Sequence, residues 1–215
     1  MTDGTPRPLR ADARRNREKI LTAAARAFTA HGLDAHLEHI AKDAGVGSAT
    51  LYRNFPTREA LIEAVYRNEV AQLCDAAPAL LARKAPDQAL RAWAHLFLDY
   101  AAAKYGMIEA LRTIAATGSN PYGHSRERIQ AAVTALMDAC AAAGLIRTDV
   151  RPDDIAAALE GIALTSAGPE HRQRAERLLD LTLDGLVIRH RDHGRDAASS
   201  NPGRTPSSPR SSRDR

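Results

Sequence analysis

The stretch LEHIAKDAGVGSATLYRNFP, from Leu37 to Pro56, concentrates hydrogen-bond donors around two glycines. Ser48, Thr50, Tyr52, Arg53 and Asn54, with Arg58 just beyond, carry hydroxyl, amide and guanidinium groups. Groups of this kind hold phosphate oxygens and read base edges. Spacing points the same way. Gly45 follows Ala41 by four residues, and Leu51 follows Gly45 by six. A helix-turn-helix has this spacing: a small residue where two helices cross, a glycine where the turn needs a positive φ, and an apolar plug that seats the second helix on the first. The other face of the second helix is then open to a major groove.

Helices must position this motif. Alanine supplies 43 of the 215 residues and aromatics only 4%. Alanine favours helix and avoids strand, which excludes an all-β fold. Apolar residues recur at helical spacing in Ile20, Ala24, Ala27 and Phe28 before Gly32, and in Leu37, Ile40, Ala41 and Ala44 before Gly45. They recur again in Leu61, Ile62, Val65, Tyr66, Val70 and Leu73, behind a Thr57 cap. Asp34 is a candidate cap for the second helix, and Pro78 should kink or end the long one. Further helical stretches are expected over 87–104, 106–117 and 125–143, then from Pro152 and from Pro169. The expected fold is all-α, with about nine helices. A flexible arm (1–13) precedes a three-helix head (14–56) and a helical body (57–192). The tail, 193–215, is basic and too poor in large apolar residues to offset its ordering entropy, so it is expected to be disordered.

Charge is uneven along the chain. Residues 1–56 hold nine Lys/Arg against six Asp/Glu, 57–188 hold fourteen against seventeen, and 189–215 hold seven against three. A basic head suits a polyanion partner. No apolar run is long enough to span a membrane, and the N-terminus lacks the apolar core of a signal peptide. Cys74 and Cys140 fall inside apolar helical stripes, as small core residues of a reduced, cytoplasmic protein do. His31, His36 and His39 lie close in sequence without a fourth ligand or a Cys-x-x-Cys, so no metal is expected. No phosphate-cradling glycine loop is present, and no cofactor is expected.

The run AGVGSATLYRNFPTREAL, Ala44 to Leu61, resembles the signature of the TetR family of bacterial transcriptional regulators. The preceding helix from Arg17 to Ala24, Gly32 and the Ile40-Ala41 pair are similar to the family's opening pattern. The stretch GLIRTDVRPDDI, Gly144 to Ile155, resembles the lead-in to the family's eighth helix, and the C-terminal half resembles the SbtR-like subgroup. Three positions depart from the pattern. Gly47 stands where a serine usually caps the recognition helix, Asn54 where histidine is common, and Arg58 where lysine is. Glycine remains a usable cap, and the other two keep a donor.

This resemblance implies a DNA-binding regulator and not an enzyme. The expected form is a ligand-responsive repressor, working as a homodimer on a near-palindromic operator in double-stranded DNA. Ser48, Ala49, Thr50 and Arg53 are expected at base edges. Tyr52, Asn54 and Arg58 are expected on the phosphate backbone, joined by backbone amides near Leu37 and Ser48. Arg14, Arg15 and Arg17 would reach a neighbouring groove or backbone, and the basic tail could add nonspecific affinity. The body is implied to bind a small, largely apolar effector of unknown identity near Trp93, Phe97, Tyr100 and Met137. It is also implied to dimerise through Ile155, Leu159, Ile162, Leu179, Leu183 and Leu186.

Overall fold

The computed structural model describes residues 7–118, 120–166 and 171–188, with only the backbone described for 7–10. The helices are α1 (Arg7–His31), α2 (Leu37–Asp43), α3 (Ser48–Asn54), α4 (Arg58–Leu81), α5 (Pro86–Gly106), α6 (Ile108–Ala116), α7 (Ser125–Ala142), α8 (Pro152–Thr165) and α9 (Arg172–Asp184). A short 3-10 turn, Gly32–Asp34, joins α1 to α2. The fold is all-α, as expected. Among the described residues, extended pairing is limited to one antiparallel bridge between Ile146 and Val187. No described helix is long and apolar enough to cross a membrane.

Local chemistry explains three of the boundaries. Thr57 caps α4, its hydroxyl accepting from the Ala60 amide at 3.1 Å. Gly45 (φ +66°) ends α2, while the Gly45 amide donates to the Lys42 carbonyl and Val46 to Ala41. That pair of bonds is a Schellman closure, which satisfies the orphan carbonyls of the last turn. Gly144 ends α7 in the same way, with φ +67°.

Four expectations need correction. First, α1 begins at Arg7, within the segment expected to be a flexible arm, because Pro8 falls in its first turn, where a missing amide breaks no helical bond. Second, Asp34 does not cap α2. It lies inside the 3-10 turn, and His36 takes the cap position without a side-chain cap bond. Third, Pro78 does not end α4, which runs on to Leu81. Near the helix end a proline forfeits only its own bond, here to the Cys74 carbonyl, and the buried Leu73 and Ala77 hold the turn. Fourth, the helix expected from 106 starts at Ile108, because α5 extends to Gly106 and Met107 alone separates the two. Pro169 and the tail at 193–215 lie outside the described residues.

At about 1.5 Å per residue, α4 is about 36 Å long. It packs against α1, α5, α6 and α7, and α5 packs in turn against α7, α8 and α9. The wholly buried Phe28, Ile62, Val65, Trp93, Met107 and Leu136 mark a continuous core through these helices. Ion pairs brace α9 on α5: Arg91 reaches Asp180 and Asp184 at 2.5 Å each, and Arg172 reaches Asp99 at 2.5 Å. These pairs are largely exposed and contribute little. The buried stripe Ala175, Leu179 and Leu183 is what seats the helix.

Candidate nucleic-acid interface

Leu51 and Phe55 are buried and fasten α3 to the rest of the head. Ala41, also buried, lets α2 cross closely. With those positions turned inward, Ser48, Ala49, Tyr52 and Arg53 are exposed together. They fall at i, i+1, i+4 and i+5, one face of a helix. Gly47 is the extended cap residue that precedes them. A helix with one side anchored and the other carrying a hydroxyl, a methyl, a phenol and a guanidinium can be laid in a groove about 12 Å wide.

The expected residues divide under this geometry. Ser48, Ala49 and Arg53 sit on the open face, while Thr50 is half-buried on its flank. Tyr52 is 43% exposed, and its hydroxyl is 3.5 Å from Glu38 Oε1 on α2. Asn54 is half-buried, and its Nδ2 donates to the Thr50 carbonyl at 2.8 Å, within its own helix. The Leu37 side chain is buried, so that residue can offer only its backbone amide to a phosphate. Arg58 makes contacts within the chain. Its guanidinium donates to the Leu33 carbonyl at 3.0 Å and the Ala35 carbonyl at 2.9 Å, so both terminal nitrogens are engaged by the chain itself. The family resemblance assigned it to phosphate, because lysine is common at that position.

The α1 arginines are also partly engaged. Arg17 stacks over the Phe55 ring, 4.4 Å from its centroid. Arg14 pairs with Glu18 at 3.8 Å, and Arg15 pairs with Asp12. Arg17 therefore ties α1 to the end of α3, a role that neither periodicity nor motif suggested. Between α1 and α2 lies a groove of about 800 Å³ whose walls include Arg26, His31, Asp34, His36, His39 and Lys42. The His36 and His39 rings meet edge-on at 5.5 Å. Among the described residues, no cluster of three His, Cys, Asp or Glu could hold a metal ion.

In the body, Trp93, Phe97, Tyr100 and Met137 are all buried. The rings form a chain, Trp93 to Phe97 at 6.0 Å and Phe97 to Tyr100 at 5.7 Å between centroids. The Trp93 indole N–H donates to the Leu73 carbonyl at 2.8 Å. The Tyr100 and Tyr66 hydroxyls lie 3.4 Å apart, and burial pushes the Tyr100 phenol far above its ordinary range. In this state the cluster is packed core with its polar atoms satisfied.

The residues expected at the dimer contact face inward in the single chain. Ile155, Leu159, Ile162, Leu179, Leu183 and Leu186 are all buried within the single chain. The helices instead expose Leu164 (79%) and Leu181 (71%), with Val187 and Ile188 following α9. Two residues along a helix is about 200° of rotation. Leu164 lies that far from Ile162, and Leu181 from Leu179, so each sits opposite its helix's buried stripe.

Two family models match the chain. Residues 20–65 match the bacterial regulatory proteins of the tetR family, and residues 85–188 match the C-terminal domain of SbtR-like transcriptional regulators. Among solved structures, the TetR transcriptional regulator SCO0520 from Streptomyces coelicolor is 67% identical with a TM-score of 0.75, the match covering 80% of this chain and 98% of that one. The TetR transcription regulatory protein from Mycobacterium vanbaalenii is 34% identical with a TM-score of 0.68, covering 84% of this chain and 100% of that one. No curated protein matches.

Proposed function

Since this chain belongs to the TetR family of bacterial DNA-binding transcriptional regulators, we propose that it is a ligand-responsive repressor acting as a homodimer on a near-palindromic operator. The observation that carries the reading is the outer face of α3: Ser48, Ala49, Tyr52 and Arg53 presented together by a glycine-turned helix pair. Arg53 and Ser48 read base edges, and Tyr52, held near Glu38, rests on the backbone.

One head covers one half-site, so a near-palindrome calls for two heads related by a two-fold axis. The exposed Leu164 and Leu181 supply the contact, because the outer faces of α8 and α9 paired with a second copy form a four-helix interface. Effector binding requires the aromatic cluster of α5 to open, since its rings are closed on one another. A ligand that binds the opened form better shifts the population towards it and changes how the two recognition helices are set.

Selection from a pool of random duplexes tests the central reading. The expected result is enrichment of two half-sites in inverted orientation, with centres about one helical turn apart or a multiple of it. Enrichment of nothing above background refutes it.

A further inference from the structure

Residues 28–35 form the elbow where the chain leaves α1 and enters α2, and two elements of the body grip it. Arg58, the first residue of α4, donates from one guanidinium nitrogen to Leu33 O at 3.0 Å and from another to Ala35 O at 2.9 Å. Gly106, the last residue of α5, touches the elbow backbone to backbone. A Cβ placed on it would fall 2.0 Å from the Phe28 carbonyl oxygen and 2.8 Å from its carbon. Across the same contact Gly32 turns with φ +54°, and a Cβ there would lie 3.5 Å from Gly106 O. Met107, next in the chain, is completely buried.

We propose that Arg58 and Gly106 are positioning residues that lock the α1–α2 elbow to the body and so set the angle at which the recognition helices meet DNA. This rests on the reading that two heads share one duplex. A planar fork can hold two carbonyls that lie two residues apart, and an ammonium cannot reproduce that geometry. The grip also has a path to the body's core. α4 and α5 are the helices that Trp93 ties together at Leu73, so a change in their packing reaches the elbow from both sides. A single head needs no fixed angle to bind a half-site, whereas two heads on one duplex do.

The test uses duplexes that the wild-type protein selects from a random pool, as the full two-half-site form and as one half-site, at several salt concentrations. Arg58→Lys is expected to weaken full-site binding by about tenfold or more, to leave half-site binding within about twofold, and to keep the salt slope. If Arg58 instead holds a phosphate, Arg58→Lys retains affinity and Arg58→Met lowers the salt slope by about one on both duplexes. That result overturns the assignment. Equal loss on both duplexes also overturns it, because the head itself would then be damaged. Gly106→Ala is expected to show the same full-site loss with mass and helical content unchanged, and wild-type full-site binding by this variant overturns the Gly106 part. If Gly106→Ala fails to fold, Arg58→Lys alone decides. A wild-type protein that selects no two-half-site duplex overturns the two-head reading, and this assignment with it.

Discussion

Replacing Leu164 and Leu181 together with glutamate should separate the proposed dimer while leaving each chain folded. Both side chains are more than two-thirds exposed in the single chain, so the substitution removes little from its own core. Such surface changes usually stay within about 0.5 kcal/mol of neutral. At an interface the arithmetic differs. Fully burying a leucine contributes about 1.5–3 kcal/mol, and two-fold symmetry counts each position twice. One substituted position therefore removes about 3–6 kcal/mol of association energy, before the desolvation of the new carboxylates. At about 1.4 kcal/mol per decade, that is two to four orders of magnitude in the dissociation constant. Sedimentation velocity from nanomolar to micromolar concentration reads this directly. The wild type should run at about twice 23.2 kDa and the double variant at 23.2 kDa, with unchanged helical content. Leu183→Glu is the contrast. Its side chain is buried, so a carboxylate there should lower stability by several kcal/mol and unfold the body before it separates two folded chains. A double variant with wild-type mass and dissociation constant would show that these leucines lie outside the contact.

Arg53→Ala should lose discrimination between selected and scrambled duplexes by about 1–3 kcal/mol, while Tyr52→Ala should weaken both alike. Competition binding at fixed salt separates the two, and equal effects would put Arg53 on the backbone. A compound that releases DNA should perturb Trp93 emission over the same concentration range, because Trp93 is the only tryptophan and heads the buried ring chain. Unchanged emission, with Phe97→Ala leaving potency intact in a folded protein, places the effector elsewhere. Gly45→Ala forces a side chain into the left-handed region with nothing within 4 Å of the added Cβ, so strain alone should lower stability by about 1–2 kcal/mol. That is about 2–8 °C in Tm for a chain of this size, and an unchanged melting curve contradicts it. Burial pushes the Cys140 thiol up to about 11, so at pH 8 only about 0.1% is thiolate. Alkylation should be slow in the native protein and accelerate on unfolding or as pH rises; a native rate equal to that of a free thiol would contradict the burial.

The head was legible because its determinants are local. Gly45 must turn and Thr57 must cap, each within one helical turn of its own position, and Leu51 must plug α3 onto the head. The partners of long cations were not legible. Arg58 closes on carbonyls 25 and 23 residues earlier in the chain, and Arg17 on a ring near the end of α3. The residue type announces a donor or a charge, but only the fold decides whether it faces water, phosphate or the protein itself. Large rings among alanines posed a similar ambiguity, since the same composition suits a cavity or a packed core. The Trp93 N–H on Leu73 O decides for packing in this state.

The dimer contact poses a more instructive problem. Periodicity identifies apolar stripes, yet a stripe facing the chain's own core and one facing a second copy look alike in sequence. Length separates them here. Ile155, Leu159 and Ile162 form a repeated stripe on α8, as Ala175, Leu179 and Leu183 do on α9, and a repeated stripe is what a continuous core requires. Leu164 and Leu181 break the period and stand about 200° away from the preceding stripe residue. A leucine there gains nothing from its own chain and leaves apolar surface in water. The proposed contact therefore rests on the off-period leucines and not on the regular ones.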